Sequence, residues 1–271
     1  MVAILLPIAG PHGIGFLSNQ SFLRLTAMKR TFMFLAAGLL AVGCQKKDPD
    51  VTPRETEDPD WIKLEIPTRF SGDEAYSIIG NIDKTLVVST KAQVYSSSDR
   101  GKTWQETQYS YGAMFGFVMR NDTLFSLDSY RIEVSGHKTA TNAKFYSTNF
   151  GQTWELFAKL PNGYYKAPAF SKPYGQIADG SISYRTQENF RAMPNSSSQL
   201  VLASDLLRSD GTTETAVRLP VRRYLKGLHL DAQRRLYVGA SGFRFDAVTG
   251  DPVNSNMERA AVVYVSRQPL P

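Results

Sequence analysis

The sequence lacks most of the features that mark disulfide-stapled, metal-binding or membrane-spanning proteins. It has one cysteine in 271 residues, which excludes an intrachain disulfide framework. His137 and His229 are far apart, and neither belongs to a ligand-spaced pair such as HExxH. The apolar run from Thr31 to Gly43 has thirteen residues, whereas a transmembrane helix needs about 20. We therefore predict no metal site, no cofactor and no permanent membrane-spanning helix.

The sequence also has little excess of positive charge once residues 1–43 are set aside. The net charge is +6, but residues 1–43 contain Arg24, Lys29 and Arg30 and no acidic side chain. The rest of the chain has 28 basic and 25 acidic side chains, which is a net charge of +3. Because Lys and Arg form no cluster on a recognisable face, we predict no nucleic-acid partner.

The start of the chain has the pattern of a secretory leader. Lys29 and Arg30 precede the short apolar run, and Cys44 follows it. Ala41 to Cys44 resembles the lipobox that signal peptidase II cuts, with Ala at the position where Leu is favoured. Residues 1–27 have one basic residue and several Gly and Pro, so Met28 is the expected true start of a signal region that ends at 43. We predict that Cys44 is lipidated and anchors the protein in the outer membrane; the alternative is a free cysteine after an ordinary signal.

The segment that follows Cys44 has the composition of a tether. Gln45 to Asp60 contains three prolines, nine charged residues and no aromatic residue, so it cannot bury enough apolar surface to order itself. The order Cys-Gln-Lys-Lys-Asp also resembles the signal that sends some Gram-negative lipoproteins to the cell surface. We expect a lipidated cysteine and disordered tether over 44–60, with surface exposure as a further expectation.

Two copies of one motif, fifty residues apart, dominate the remainder. Both fit the pattern SxDxGxTW, except that the second has Asn in place of Asp. In each copy the acidic or amide side chain can bond to the backbone of a tight turn, the Gly can adopt a positive φ, and the Trp can pack between sheets. We therefore interpret both as structural hairpin turns with core tryptophans, formed by Ser97, Asp99, Gly101, Thr103 and Trp104 and by Ser147, Asn149, Gly151, Thr153 and Trp154.

The motif resembles the Asp-box, or BNR repeat, of sialidases, sortilin-type receptors and photosystem assembly factors. This resemblance implies an all-β propeller built from repeats of about fifty residues. A weaker copy lies in Leu206 to Pro220, where Glu214 occupies the Trp position. The span 61–271 predicts about four four-stranded blades, with five left open because Gly163 to Pro194 is long.

Apolar β-rich runs precede the turns and the chain end, and we predict them as the inner strands of the blades. They begin at Thr85, Thr123, Gln199 and Arg235. The last strand, 262–267, has no outer neighbour after it. The early segment 61–67 has the alternation of an outer strand, so we predict that it pairs with 262–267 and closes the ring.

The resemblance to sialidases also raises an enzymatic alternative. Those enzymes hold the substrate carboxylate with three arginines, one of them in an Arg-Ile-Pro segment, and use a Tyr nucleophile assisted by Glu. Here the early strand has Glu65 before Ile66 and Pro67, and a glutamate would repel a carboxylate. Arg185, Arg222 and Arg223 lie beside tyrosines but are interpreted as strand-edge residues. We predict no catalytic residues; the alternative is a sialidase-type glycoside hydrolase.

The remaining interpretation is a binding or assembly module. Loops at one mouth of a propeller commonly carry recognition. The stretch Tyr164 to Asp179 combines aromatic and basic side chains, which suits stacking on a sugar or anchoring a peptide. We predict a monomeric, membrane-anchored domain that binds a glycan or a surface protein, with tentative binding residues Tyr164, Tyr165, Lys166 and Tyr174.

Overall fold

The protein is all-β. The computed structural model describes residues 57–160, 169–195, 197–253 and 260–270. Its strands, in chain order, are β1 (Trp61–Pro67), β2 (Ser77–Gly80), β3 (Leu86–Ser89), β4 (Gln93–Ser97), β5 (Gln105–Tyr109), β6 (Gly116–Arg120), β7 (Thr123–Ile132), β8 (Lys138–Ser147), β9 (Glu155–Leu156), β10 (Ser171–Tyr174), β11 (Gln176–Asp179), β12 (Ile182–Gln187), β13 (Phe190–Ala192), β14 (Gln199–Val201), β15 (Asp205–Ser209), β16 (Glu214–Val217), β17 (Leu225–Leu230), β18 (Leu236–Ala240) and β19 (Ala260–Ser266). A single-turn 3-10 helix, Phe157–Lys159, follows β9.

Four antiparallel sheets form the blades of a small propeller. Blade 1 is β2-β3-β4-β5, blade 3 is β11-β12-β15-β16, and blade 4 is β17-β18-β19-β1. Blade 2 is β6-β7-β8, and β9 and β10 pair with different parts of β8. The four-blade prediction is confirmed. The segment that left a fifth blade open contributes β10 to blade 2, β11 and β12 to blade 3, and β13 to a separate hairpin with β14.

The N-terminal strand closes the ring. Strand β1 pairs antiparallel with β19, from Trp61 opposite Ser266 to Pro67 opposite Ala260. Trp61 is buried, its ring meets Tyr264 edge-on at 6.5 Å, and its indole N–H donates to the carbonyl oxygen of Arg218 at 3.1 Å. The predicted closure is therefore confirmed, and β1 is the outer strand of blade 4.

The prediction placed the apolar runs of three blades one position too far inward. The strands that contact each other around the centre are β2, β6, β11 and β17, together with β10. The runs from Thr85, Thr123 and Arg235 form β3, β7 and β18, the second strands of their blades, and the run from Gln199 contains β14. Second strands have sheet neighbours on both sides and are the most apolar, whereas the first strands carry polar residues toward the channel.

Apolar side chains fill the spaces between neighbouring blades. One cluster joins blades 4 and 1 through Leu64, Val263 and Val88, and another joins blades 3 and 4 through Tyr184, Leu228 and Tyr264. Two more clusters lie beside blade 2, one around Phe117 and Val94 and the other around Phe125 and Phe170. The core is therefore divided into inter-blade layers, as expected of a propeller.

Strand direction gives the ring two different faces. The turn face carries the connections from first to second and from third to fourth strands, which include 98–104 and 148–154. The mouth face carries the connections from second to third strands and from blade to blade. The hairpin of β7 and β8 extends beyond β6 toward the mouth face, where β10 pairs with its second strand. Within the described ranges, the structure contains no helix long and apolar enough to cross a membrane.

Candidate functional site

The first SxDxGxTW turn is held by its own side chains. Asp99 Oδ1 accepts from the Ser97 hydroxyl and from the Thr103 amide, both at 2.9 Å, and its Oδ2 accepts from the Thr103 hydroxyl at 2.6 Å. The Gly101 amide donates to Ser97 Oγ at 2.9 Å. The bonds from the Thr103 side chain and amide, followed by that from Ser97, lower the pKa of Asp99 to about 2. Both oxygens of the Asp99 carboxylate thus accept hydrogen bonds from within the turn.

The second turn repeats this arrangement with an amide. Asn149 Oδ1 accepts from the Ser147 hydroxyl at 2.9 Å and from the Thr153 amide at 3.0 Å, and the Gly151 amide donates to Ser147 Oγ at 2.8 Å. The Asn149 amide donates to Thr153 Oγ1 at 2.9 Å, so the threonine hydroxyl accepts here and donates in the first turn. The motif is satisfied equally well with or without a negative charge.

The third, weaker copy is a shorter version of the same turn. Asp210 accepts from the amides of Thr212 and Thr213 and from both hydroxyls, at 2.7 to 3.0 Å. These bonds lower its pKa, and the amide of Thr213 contributes most. Glu214, at the Trp position, instead forms an ion pair with Arg185.

The tryptophans of the first two turns pack against the inter-blade clusters but keep part of their surface exposed. Trp104 lies on the cluster between blades 4 and 1. Trp154 stacks on Phe117 at 5.8 Å, and its indole N–H lies within 3.2 Å of Thr107 Oγ1 and 3.1 Å of the Gly151 carbonyl oxygen. The contacts of these turns are with the scaffold, and they support a structural interpretation.

The mouth face has a different composition, with two lysine–glutamate pairs set among aromatic rings. Lys226 Nζ lies 3.4 Å from Glu74 Oε2, 4.0 Å from the centre of the Tyr224 ring and 5.3 Å from that of Tyr76. The two charged side chains are 14% and 18% exposed. Blade 4 thus contributes a cation that is partly desolvated against the segment leading into blade 1.

The second pair joins blades 2, 3 and 4. Lys138 Nζ lies 2.9 Å from Glu188 Oε1, and the Tyr224 hydroxyl donates to the same oxygen at 2.8 Å. Lys138 Nζ is also 5.8 Å from the centre of the Tyr130 ring. The two pairs meet at Tyr224, which contacts Lys226 through its ring and Glu188 through its hydroxyl.

Aromatic rings continue from these pairs into the centre of the mouth. Phe115 has ring centres 5.7 Å from Tyr76, 4.8 Å from Tyr130 and 5.3 Å from Tyr174, in edge-on contacts. Tyr130 keeps 41% of its surface exposed. We name these residues and the two ion pairs together the mouth cluster: Glu74, Tyr76, Phe115, Tyr130, Lys138, Tyr174, Glu188, Tyr224 and Lys226.

The predicted binding residues fall differently from expectation. Tyr164, Tyr165 and Lys166 lie outside the described residues. Tyr174 lies on β10 and is the buried member of the mouth cluster. It is buried because β10 fills the centre of the ring instead of forming part of a long surface loop. Tyr174 therefore supports the exposed rings and borders the cavity described next.

A cavity of about 300 Å³ opens beside the mouth cluster. Its walls come from the tip of the β7–β8 hairpin, the corner between β10 and β11, the end of β12 and the start of β17. Side chains that can donate or accept hydrogen bonds predominate in the lining, which includes Ser135, His137, Gln176, Arg185, Thr186 and Gln187. The lining thus combines hydrogen-bonding side chains with apolar surface, including that of the buried Tyr174 and Leu225.

Protonation in the mouth cluster follows from burial and from the ion pairs. Burial alone would raise the pKa of Glu188, but the hydrogen bonds from Lys138 and Tyr224 and the nearby lysine charges bring it below the ordinary value. Burial, followed by the contact with Glu188, raises the pKa of Tyr224. Burial lowers the pKa of Lys226, although Glu74 opposes this. At neutral pH, Tyr224 is a hydrogen-bond donor and Glu188 is a carboxylate.

The channel below the mouth holds a second pair of titratable groups. Burial lowers the pKa of Lys172 to about 8 and, together with the charge of Lys172, lowers that of His229 to about 4. His229 Nε2 lies 2.9 Å from the Gly80 carbonyl oxygen, to which the neutral ring donates. His229 is therefore a partly buried residue whose ring nitrogen is already bonded within the fold. Across the described parts of the chain, no three His, Cys, Asp or Glu residues are grouped to hold a metal.

The arginines considered for a sialidase-like pocket do not converge on the cavity, since Arg185 lines it but Arg222 and Arg223 do not. Arg185 is held by both oxygens of Glu214 at 2.7 Å. Arg223 is fully buried and donates to the Tyr264 hydroxyl at 2.9 Å, while Arg222 lies 3.6 Å from Asp205. The structure thus gives each arginine a separate scaffold contact.

Sequence reasoning missed most of the mouth cluster because its members come from four blades and form no local motif. A positional signal exists all the same. Lys138 and Lys226 stand at or next to the start of a strand, and Glu188 follows the end of one, all at the mouth end. Comparison with protein-family models and with curated proteins gave no match for this chain.

Proposed function

We propose that this chain is a non-catalytic surface lipoprotein of the Asp-box type, whose propeller binds a glycan or a protein partner at its mouth. The observation that supports this most strongly is the mouth cluster, because it sets the exposed ring of Tyr130 and partly desolvated ion pairs beside a cavity with hydrogen-bonding side chains. Binding sites combine aromatic contact area with a few well-placed polar groups in this way. The satisfied turn residues have no such free capacity.

The tether joins the domain on the face opposite the mouth, which supports the mouth as the binding face. Asp60 precedes β1 at the turn face, where its carbonyl oxygen accepts from the Arg267 amide at 2.8 Å. An anchor at Cys44, which lies outside the described residues, would join the domain through Asp60 on the turn face and leave the mouth face free for a ligand. Metabolic labelling with a fatty acid should mark the protein and fail to mark Cys44→Ser; equal labelling of the two would contradict the anchor.

The binding role is tested by removing an exposed ring from the mouth. Tyr130→Ala should abolish capture of cell-envelope material by the full-length chain, because its exposed ring packs 5.6 Å from the ring of Tyr174, which lines the cavity. Leu156→Ala is the matched control, since Leu156 is 48% exposed on the outer strand β9, on blade 2 but outside the mouth cluster. Equal capture by both variants would contradict the mouth as the binding site.

One observation favours the alternative, a sialidase-type hydrolase: the Tyr224 hydroxyl donates to Glu188, and such enzymes use a tyrosine assisted by glutamate. The neighbouring cations, however, are lysines paired with glutamates, and burial raises the Tyr224 pKa, which disfavours its nucleophilic form. We expect no turnover of a fluorogenic sialoside. Turnover that Tyr224→Phe abolishes would establish the hydrolase instead.

A further inference from the structure

We infer that the mouth cavity takes an uncharged saccharide in preference to an acidic one. This inference rests on the proposed binding function and narrows it to one class of ligand. Its basis is the way in which charges, neutral polar groups and rings are distributed around the cavity.

Cations at the cavity are already compensated by carboxylates of the same chain. Lys138 is 2.9 Å from Glu188, Lys226 is 3.4 Å from Glu74, and Arg185 is held at two points by Glu214. Lys172, two residues before Tyr174, does not line the cavity within the described residues. An entering carboxylate would have to displace one of these partners or approach it against like charge in a partly desolvated site.

The groups left to contact a ligand are mostly neutral. Gln176, Thr186 and Gln187 come from β11 and β12, and Ser135 comes from the hairpin tip opposite. Amides and hydroxyls can both donate and accept hydrogen bonds, which matches a ligand that carries several hydroxyl groups. The fixed Lys138–Glu188 pair adds a strong donor beside a strong acceptor, an arrangement suited to neighbouring sugar hydroxyls.

Size and aromatic surface agree with this ligand class. At about 300 Å³ the cavity lies at the small end of ligand sites, which suits one or two sugar rings better than a folded partner. Tyr130, exposed on the hairpin beside the cavity and 5.6 Å from the Tyr174 ring, offers a face on which a sugar ring can stack.

The inference is tested by measuring binding of the full-length chain to matched saccharides, with lactose and N-acetylglucosamine oligomers as neutral probes and sialyllactose and uronic-acid oligomers as acidic probes. Neutral probes should bind about tenfold more tightly or better, the difference expected when an ionic hydrogen bond is lost. Glu188→Gln should weaken neutral binding by about the same factor and strengthen acidic binding, because Lys138 loses its compensating charge. Gln187→Ala, at an exposed position, should weaken neutral binding without lowering the melting temperature.

Glu65→Gln is the matched control, since it makes the same change at an exposed glutamate that pairs with Lys63 on the outer strand β1 and does not line the mouth cavity. Tighter binding of acidic probes overturns the inference and leaves the binding function in place. The same holds if neither panel binds while a protein is captured in a Tyr130-dependent manner. If neither binding nor capture depends on the mouth residues, both the inference and the proposed function are wrong.

Discussion

The two faces of the ring use polar side chains in opposite ways. On the turn face, Asp99 and Asn149 spend their hydrogen-bonding capacity inside their own turns. On the mouth face, Tyr130 keeps 41% of its surface exposed beside a cavity lined with amides and hydroxyls. Satisfied groups stabilise a fold and have little hydrogen-bonding capacity left for a ligand, so we propose that the turn face stabilises the ring and the mouth face binds the ligand.

The turn face also contains the most buried ionic network. Arg235 Nε donates to Asp231 Oδ2 at 2.8 Å. The two other guanidinium nitrogens lie 2.9 Å from Asn81 Oδ1 and 2.7 Å from Asp83 Oδ2. The Asp231 side chain is 1% exposed and also accepts from the Tyr237 hydroxyl. This network joins the first turn of blade 4 to that of blade 1 beside the ring closure.

The largest effect is therefore expected from Asp231→Ala. Removing the buried partner leaves Arg235 with only the half-exposed Asp83 as a counter-charge and deprives the Tyr237 hydroxyl of its acceptor, which should lower the free energy of unfolding by about 3–5 kcal/mol. Urea unfolding measures this. Asp179→Ala is the control, because Asp179 pairs with Arg234 where both side chains are about half exposed, and it should cost at most about 1 kcal/mol. Equal costs would show that burial of the network does not stabilise the ring.

A glycine on each face separates backbone strain from packing. Gly151 on the turn face and Gly136 on the mouth hairpin have nearly the same φ, +83° and +82°. A Cβ at Gly151 would lie 2.9 Å from Val87 Cγ2, whereas one at Gly136 would meet nothing within 4 Å. Gly136→Ala should cost about 1 kcal/mol from strain, and Gly151→Ala about 2–3 kcal/mol from strain plus displacement of Val87.

Thermal melts of both variants measure the difference. If Gly136→Ala were as destabilising as Gly151→Ala, the mouth hairpin would be as tightly constrained as the turn face, and the division between the two faces would be wrong.

The smallest effect concerns acid. Because the folded-state pKa of Asp99 is lowered to about 2, its contribution to stability is present above the unfolded value of about 4 and is lost as the pH falls toward 2. Asp99→Asn should melt like the parent at pH 7 and lose less stability between pH 4 and pH 2. Asn149→Asp should show the reverse, with a steeper acid loss than the parent. Identical pH profiles for all three would show that the turns do not distinguish a carboxylate from an amide.

Local patterns in the sequence predicted the turns, the repeat and the ring closure, because each depends on residues close together or on one matching strand pair. The confirmed pairing of 61–67 with the last strand is the clearest case. The order of strands within each blade was harder to predict. Apolar runs mark the second strands, whose faces are both covered, while first strands such as β17 mix apolar residues with Lys226 and His229.

The mouth cluster could not be predicted in the same way. Lys226 meets Glu74, about 150 positions earlier, only because the ring brings the start of blade 4 beside the entry to blade 1. Glu188 likewise receives Lys138 from another blade. An isolated lysine or glutamate in the sequence is interpreted as a solvated surface residue. Only the fold shows which residue it pairs with and how far it is buried.

The division between the faces is tested most directly by site-specific photo-crosslinking of the full-length chain on intact cells. A photoreactive residue placed at Gln187, which lines the mouth cavity, should form adducts with cell-envelope material. The same residue at Gln152, exposed in the second SxDxGxTW turn, should form few, because the polar groups of that turn are bonded to one another. Adducts formed chiefly from position 152 would contradict the account and place the binding surface on the turn face.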